Sequence, residues 1–426
     1  MRRRRILYIA NSHPDLYIGG AEVYSYEVYR AMRSSPDFEP IFLARSVSPA
    51  HAGVSESPFH ALGDDPNQIL WHQRDHDYFF LTSPDKSEYT EHFDRLLRVF
   101  EPDLVHIQHT VGLGIDLIRQ IRNRFPRVPI VYTLHEFLPI CNAQGLMIRP
   151  GSGELCDHAS PLRCHDCFPE IAPHRFLLRE RLIRKHLDLV DLFLVPSHCL
   201  IDRFRAWGLP AEKLRFQEYG RLIQPPADGP DDPPPPIGQL GFFGQLRRHK
   251  GVLVLLEAVR RLAAAGETDV HLRLNGANLE HEPEDFRNEV RRLLDECTGQ
   301  VTFAGRYTSD QIPERMRPIA WAVVPSTWWE NSPLVIQEAF MHRRPVICSD
   351  IGGMAEKVRD GVDGLHFRVG DPADLARVIR RAVNDPDLWP RLAGQIRPVF
   401  SMEEAVVELG TIYDELLSSG AAEVAS

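Results

Sequence analysis

The feature that most constrains this chain is an alternation that runs twice. Short apolar runs rich in β-branched and aromatic residues come first: RILYIAN, PIFLARS, DLVHIQH, PIVYTLH and LFLVPS. Helical patterns such as AEVYSYEVYRAM and FDRLLRVF lie between them. The scheme stops at QPPADGPDDPPPP, from Gln224 to Pro236, and restarts with QLGFFG, HLRLNG, VTFAG, WAVVPS, PVICSD and GLHFRV. Apolar strands separated by helices predict parallel sheets covered on both faces. A proline run cannot join a sheet interior and acts as a stiff connector. The pattern therefore predicts an α/β protein of two Rossmann-like, doubly wound domains, residues 1–223 and 237–395, with a linker at 224–236. A helical segment, 396–426, is expected to pack back toward the first domain. Ligands of such folds bind beyond the carboxyl ends of the strands, so a cleft between two facing sheets is the expected site.

Bulk properties narrow the function. At 426 residues the chain is too long for one ordinary domain. Its 43% hydrophobic and 25% charged residues are those of a soluble globular protein. The net charge of −10 argues against broad nucleic-acid binding, so a phosphate ligand has to be met by a local group of cations. The opening MRRRR is followed by an apolar run, ILYIA, too short for an export signal or a membrane span. The expected location is the cytoplasm. The basic lead-in is compatible with peripheral contact with anionic lipid at the inner membrane face.

The stretch WWENSPLVIQE places Glu330 and Glu338 around a polar turn. On one helix they would stand ~80° apart and share no face. Ser332 suits an N-cap and Pro333 the first helical position, so a helix is expected to start between the two carboxylates. Its unpaired amides and positive dipole end predict an anion site flanked by groups that seek hydroxyls. That combination is what a sugar nucleotide requires.

Two further loops carry phosphate chemistry. In GFFGQLRRHKGVLVLLEAV, Gly244 and Gly251 allow a tight path, and Lys250 stands just ahead of a helix. Arg247 and Arg248 enlarge the local positive field. In IANSHPDLYIGGAEVY, Gly19 and Gly20 follow the first strand, where bare backbone approaches a phosphate closely. This is not the G-x-G-x-x-G fingerprint, so a nicotinamide cofactor is not expected. A third pair, Gly352 and Gly353 in DIGGMAEKV, fits either a ligand contact or a plain tight turn.

These residues resemble the retaining GT-B glycosyltransferases of family four (glycosyltransferase group 1). PSTWWENSPLVIQEAF, with seven residues between Glu330 and Glu338, looks like that family's signature. The resemblance extends over nearly the whole chain, through GGAE, PDLVHIQH, YTLHE, VPSH, the lysine–glycine loop and PVICSDIGGMAEKVRDGVDGLHF. It implies a GT-B fold and metal-independent hexosyl transfer with retention. The donor would be a nucleotide sugar, UDP- or GDP-linked, and no catalytic cofactor would be needed. The acceptor would be a glycan, a lipid-linked molecule or a small molecule, as in surface polysaccharide or glycoconjugate synthesis. By the same resemblance Glu338 binds the ribose, and Glu330 binds the donor sugar. The backbone from Asn331 through Ser332 and Pro333 to Leu334 faces the sugar and diphosphate, and Lys250 neutralises the phosphates. His135 in TLHE lies near the reacting carbon. Where members often carry arginine, this chain has Gln245, which shifts diphosphate binding toward Lys250 and Arg247. A nucleotide-sugar epimerase shares the fold, and so would a non-catalytic scaffold that binds the same donor. An epimerase would turn over donor without acceptor, and the intact Glu330, Glu338 and Lys250 argue against a scaffold.

Four of the seven cysteines crowd into CNAQGLMIRPGSGELCDHASPLRCHDC: Cys141, Cys156, Cys164 and Cys167. A reducing cytosol disfavours disulfides. The set fits either a structural four-thiolate zinc site or reduced thiols in an insertion at about 141–170, with His158 and His165 as alternative ligands. A subgroup of the family looks similar here, and the insertion would shape an acceptor pocket. Cys199, Cys297 and Cys348 read as buried thiols.

Overall fold

A computed structural model describes residues 2–17, 19–48, 57–84, 86–225 and 233–425. Most of the expected linker, 226–232, lies outside these residues. The chain divides into two compact units, Met1–Leu222 with Phe400–Ser426, and Ile223–Val399.

The first unit holds β1 (Arg4–Ala10), β2 (Phe38–Ser46), β3 (Phe59–Leu62), β4 (Asp65–His72), β5 (Leu104–Ile107), β6 (Ile130–Thr133), β7 (Leu192–Val195) and β8 (Leu214–Phe216). They form one sheet in the order β3-β4-β2-β1-β5-β6-β7-β8. Pairing is parallel except between β3 and β4, which form an antiparallel hairpin at the edge. That hairpin departs from the expected all-parallel sheet. An edge strand needs no helical crossover, and its half-exposed residues give no continuous apolar run. The central strands β5 and β6 are buried throughout, as LVHI and IVYT suggest.

The second unit holds β9 (Gln239–Gln245), β10 (His271–Ala277), β11 (Val301–Gly305), β12 (Trp321–Val324), β13 (Val346–Ser349) and β14 (Gly364–Phe367). The order is β11-β10-β9-β12-β13-β14, all parallel. Both faces of the central strands are buried. Trp321 and Val323 of β12 join one apolar cluster with Leu240 and Ile347, while Ala322 and Val324 join another with Val346 and Cys348. Successive strand residues point to opposite faces, and here each face is covered. Helices begin where local chemistry allows. Pro372–Asn384, for example, starts behind Asp371, whose carboxylate accepts from the amides of Ala373 and Asp374 at 2.9 and 3.0 Å.

The final helix, Met402–Ala425, belongs to the first unit. Tyr413 on this helix is fully buried against Tyr8 of β1. Among the described residues no helix is long and apolar enough to cross a membrane.

Candidate functional site

In the second unit the strand order reverses between β9 and β12, because β9 feeds β10 on one side and β12 lies on the other. Such a switch point leaves the loops after both strands facing the same crevice. Those two loops carry the residues singled out in the sequence.

They are bound to each other at the backbone. The Thr327 amide donates to the His249 carbonyl at 2.9 Å. Gly251 adopts φ +73°, and a Cβ there would sit 1.8 Å from the Pro325 carbonyl oxygen, so only glycine fits. This approach delivers Lys250 to Glu330: Nζ stands 2.5 Å from Oε1. Glu330 is only 6% exposed. Burial pushes its carboxyl pKa up, but the Lys250 charge and hydrogen bonds from Lys250 and Ser326 outweigh that and hold it below the usual value. The Ser326 hydroxyl donates to the same Oε1 at 2.7 Å. The Lys250 ammonium also lies 5.5 Å from the centre of the Trp328 ring. His249 is driven down to about 4 by burial and by Lys250 beside it, so it is neutral near pH 7.

The helix after β12 runs Leu334–Met341, and Pro333 is its capping residue, with no side-chain cap. This corrects the expectation that Ser332 caps and Pro333 begins the helix. Asn331 and Ser332 are buried in the loop ahead of it. Glu338 is half-buried in the helix, close enough to Tyr307 for its charge to raise the phenol pKa.

Gly352 and Gly353 have a defined task. The Gly353 amide donates to the Glu330 carbonyl at 2.7 Å, and a Cβ at Gly353 would fall 1.5 Å from the Asn331 carbonyl oxygen. The pair therefore buttresses the Glu330–Asn331 backbone. The arginines contribute less free charge than the sequence suggested. Arg248 pairs with Asp285 at 2.8 Å, and Arg247 lies 3.8 Å from Glu282. Gln245 closes β9, half-buried. Sequence reading quoted Ser326 and Trp328 without giving them a role; proximity in the PSTWWE run was the available signal.

In the first unit, Gly19 is extended at φ −141° and precedes the helix Gly20–Arg33. A Cβ at Gly19 would meet the Glu22 carboxylate at 2.3 Å. Glu22 is buried and accepts from the Asn11 amide at 2.6 Å, tying the loop after β1 to the helix. His135 follows β6 and contacts Gln108 and the Tyr219 hydroxyl. Burial, then the neighbouring His109 and His106, hold its pKa well below the usual value. It is a neutral imidazole.

Cys141, Cys156, Cys164 and Cys167 do line one cavity, with Met147, His158 and Arg149 around it. Among the described residues, however, no three His, Cys, Asp or Glu groups converge to hold a metal ion. Cys156 Sγ donates to the His158 carbonyl at 3.2 Å, and His165 Nδ1 is engaged by the Ile171 carbonyl at 2.9 Å. Burial pushes the Cys141 thiol up to about 11, which favours the protonated form over a thiolate ligand. The donors as arranged do not fit the expected zinc centre. Cys297 and Cys348 are buried, whereas Cys199 is half-buried.

Comparison with known proteins matches both units. Residues 18–217 match the Glycosyltransferase Family 4 model, and residues 238–385 match the Glycosyl transferases group 1 model. An uncharacterized glycosyltransferase of Methanocaldococcus jannaschii, MJ1178, is 28% identical over 179 residues, 41% of this chain and 47% of that protein. The match thus spans about half of that relative's length. Sucrose-phosphate synthase from Thermosynechococcus elongatus superposes with a TM-score of 0.70 at 19% identity, covering 98% of this chain and 100% of that one. HepE of Anabaena, in complex with UDP and glucose, gives 0.64 at 18% identity, covering 98% and 100%. At such identities the two structures speak for the fold, which is GT-B.

Proposed function

Starting from a chain that carries the paired family 4 and group 1 domains of a glycosyltransferase, we propose that it transfers a hexose from a UDP- or GDP-sugar with retention and without a catalytic metal. The observation that carries this reading is the pair of buried Glu330 and half-buried Lys250 at the switch point, just ahead of the helix Leu334–Met341. Glu330 is held ionised, which suits it to accept hydrogen bonds from sugar hydroxyls and not to donate a proton. Glu338, one to two turns along, takes the ribose hydroxyls. Lys250, Arg247, Gln245 and the amides of the helix start stabilise charge on the departing diphosphate, which is the main electrostatic task. Gly19 and Gly20 give backbone access to the donor phosphate, and Asn331, Ser332, Pro333 and Leu334 line the sugar. His135, neutral and with its ring nitrogens engaged by Gln108 and Tyr219, stands near the reacting carbon of the transferred sugar.

A hydrolase that retains configuration needs two carboxyls ~5 Å apart, one of them a free nucleophile. Glu330 is committed to Lys250 and Ser326 instead. The acceptor hydroxyl attacks from the face the diphosphate leaves, its oxygen forms the new glycosidic bond, and its proton passes to the leaving phosphate oxygen. The acceptor is a glycan, a lipid-linked or a small hydroxylated molecule. A UDP-sugar is the favoured donor because HepE, a protein of the same fold, binds UDP. Product stereochemistry by NMR tests the reading. An α-linked donor is expected to give an α-linked product in the presence of EDTA. A β-linked product contradicts retention, and donor turnover without acceptor marks an epimerase.

A further inference from the structure

A buried polar chain crosses the first unit and ends on His135. The His135 Nε2 and Gln108 Oε1 atoms are 3.1 Å apart. The other end of the same amide, Gln108 Nε2, stands 3.2 Å from His106 Nε2. His106 Nδ1 meets the Tyr413 hydroxyl at 2.6 Å, and that hydroxyl meets the Tyr8 hydroxyl at 3.0 Å. Thr133 Oγ1 also faces His106 Nε2, at 2.7 Å. On its far side His135 Nδ1 contacts the Tyr219 hydroxyl. Gln108 and Tyr413 are 0% exposed and His106 1%, so water does not complete these bonds.

An amide has one donor end and one acceptor end, so it forces its two imidazole neighbours into a correlated arrangement. With Oε1 toward His135, the His135 proton sits on Nε2, and Nδ1 accepts from the Tyr219 hydroxyl. With the amide N–H toward His106, that ring keeps its lone pair on Nε2 and its proton on Nδ1, donating to Tyr413. Tyr413 in turn donates to Tyr8. We infer that Gln108 is a positioning residue that holds His135 as the Nε2–H tautomer, and that Tyr413 on the final helix sets the direction of this hold. Burial supports the choice of tautomer as the variable. It lowers His106 to about 3, and with His109 and His106 it holds His135 well below its ordinary value, so neither ring is charged near pH 7.

The effect on turnover rests on the role given to His135 above, while the tautomer itself does not. The test reads both. Nitrogen-15 histidine NMR of the full chain, with His135 assigned by the loss of its signals in His135→Asn, is expected to show a protonated Nε2 and an unprotonated Nδ1. Tyr413→Phe removes the acceptor for His106 Nδ1–H. A buried donor without a partner is unfavourable, so His106 moves its proton to Nε2, where Thr133 accepts it. Gln108 then turns over, and His135 becomes the Nδ1–H tautomer, donating to Tyr219. The expected result is that switch, seen at a residue 278 positions away in sequence, with kcat down about tenfold and donor KM unchanged. Should Tyr413→Phe not fold, Gln108→Glu serves: a carboxylate accepts from both rings, so His106 gains a proton on Nε2 while His135 keeps its own. A wild-type His135 protonated on Nδ1, or a folded Tyr413→Phe protein whose His135 signals match wild type, overturns the inference. A tautomer switch with no transferase activity in any variant would instead leave the relay standing and count against the proposed reaction.

Discussion

Lys250 and Glu330 lie 80 residues apart in sequence and meet at 2.5 Å at the carboxyl end of the second sheet. The cation expected to serve phosphate and the carboxylate expected to serve sugar hydroxyls thus hold each other in place before any ligand arrives. The lysine is 28% exposed and the glutamate side chain 7%, so the pair is anchored on the acidic side and open on the basic one. A diphosphate would approach an ammonium already oriented by Glu330 and Trp328.

Removing Lys250 leaves a buried carboxylate without its counter-charge. Lys250→Ala is expected to lower stability by about 3 kcal/mol, since breaking a buried pair costs more than the pair contributes. It should also reduce kcat/KM on the order of a hundredfold, the usual loss for one preorganised charge at a leaving group. Urea unfolding and steady-state kinetics measure the two effects. The double variant Lys250→Ala/Glu330→Gln should recover much of the stability and none of the activity.

Acid sensitivity follows from the same carboxylate. The folded protein holds Glu330 below its unfolded value of 4.5. A depressed carboxyl pKa contributes stability that is present above the unfolded value and lost as pH falls through the folded one. Glu330→Gln should therefore flatten the dependence of unfolding free energy on pH below about 4.5 and leave the slope near pH 7 unchanged. Chemical denaturation across that range checks this.

Glycine at position 353 is required by geometry. Gly353→Ala would place a methyl 1.5 Å from the Asn331 carbonyl oxygen, forcing the Glu330–Asn331 backbone aside. The expected cost is about 1–3 kcal/mol, and the thermal shift given by UDP-sugars in the wild type should disappear. Gly394→Ala, which meets nothing within 4 Å and replaces a glycine without a left-handed φ, is the control for steric crowding.

The cysteine-lined cavity makes a chemical prediction. With Cys141 pushed up from 9.0 to about 11 by burial, its thiolate fraction at pH 8 is about a hundredfold below that of an unperturbed thiol. Iodoacetamide followed by peptide mapping should find Cys141 alkylated correspondingly slowly in the folded protein and at an ordinary rate in urea.

Legibility in the sequence followed the physics of burial. All six apolar runs of the second half are strands, and the four central ones are apolar because parallel strands between two helical layers are covered on both faces, while edge strand β11 is half-exposed. The hairpin β3–β4 escaped notice: DPNQILWH carries a proline and is only partly buried. Glu330 and Lys250 were each visible as motif residues, but nothing local in sequence states that residues from different loops touch. That follows from the β9–β12 switch point and from Gly251 lying against Pro325. The relay from Tyr413 to His135 was invisible for the same reason, since its members come from β1, β5, β6 and the last helix. Cysteine spacing left a zinc site and reduced thiols equally open, because spacing does not report how closely the side chains converge; among the described residues no three donors do.

The central claim is that the second unit grips a nucleotide sugar between Lys250 and Glu338. Calorimetric titration of UDP-glucose and GDP-glucose into the wild-type protein and into Glu338→Gln tests it most directly. One of the two sugars is predicted to bind the wild type with unit stoichiometry and to bind Glu338→Gln about tenfold or more weakly, the loss expected for a hydrogen bond to a charged group. Equal affinity in both proteins, or no binding of either sugar to the wild type, would contradict the account.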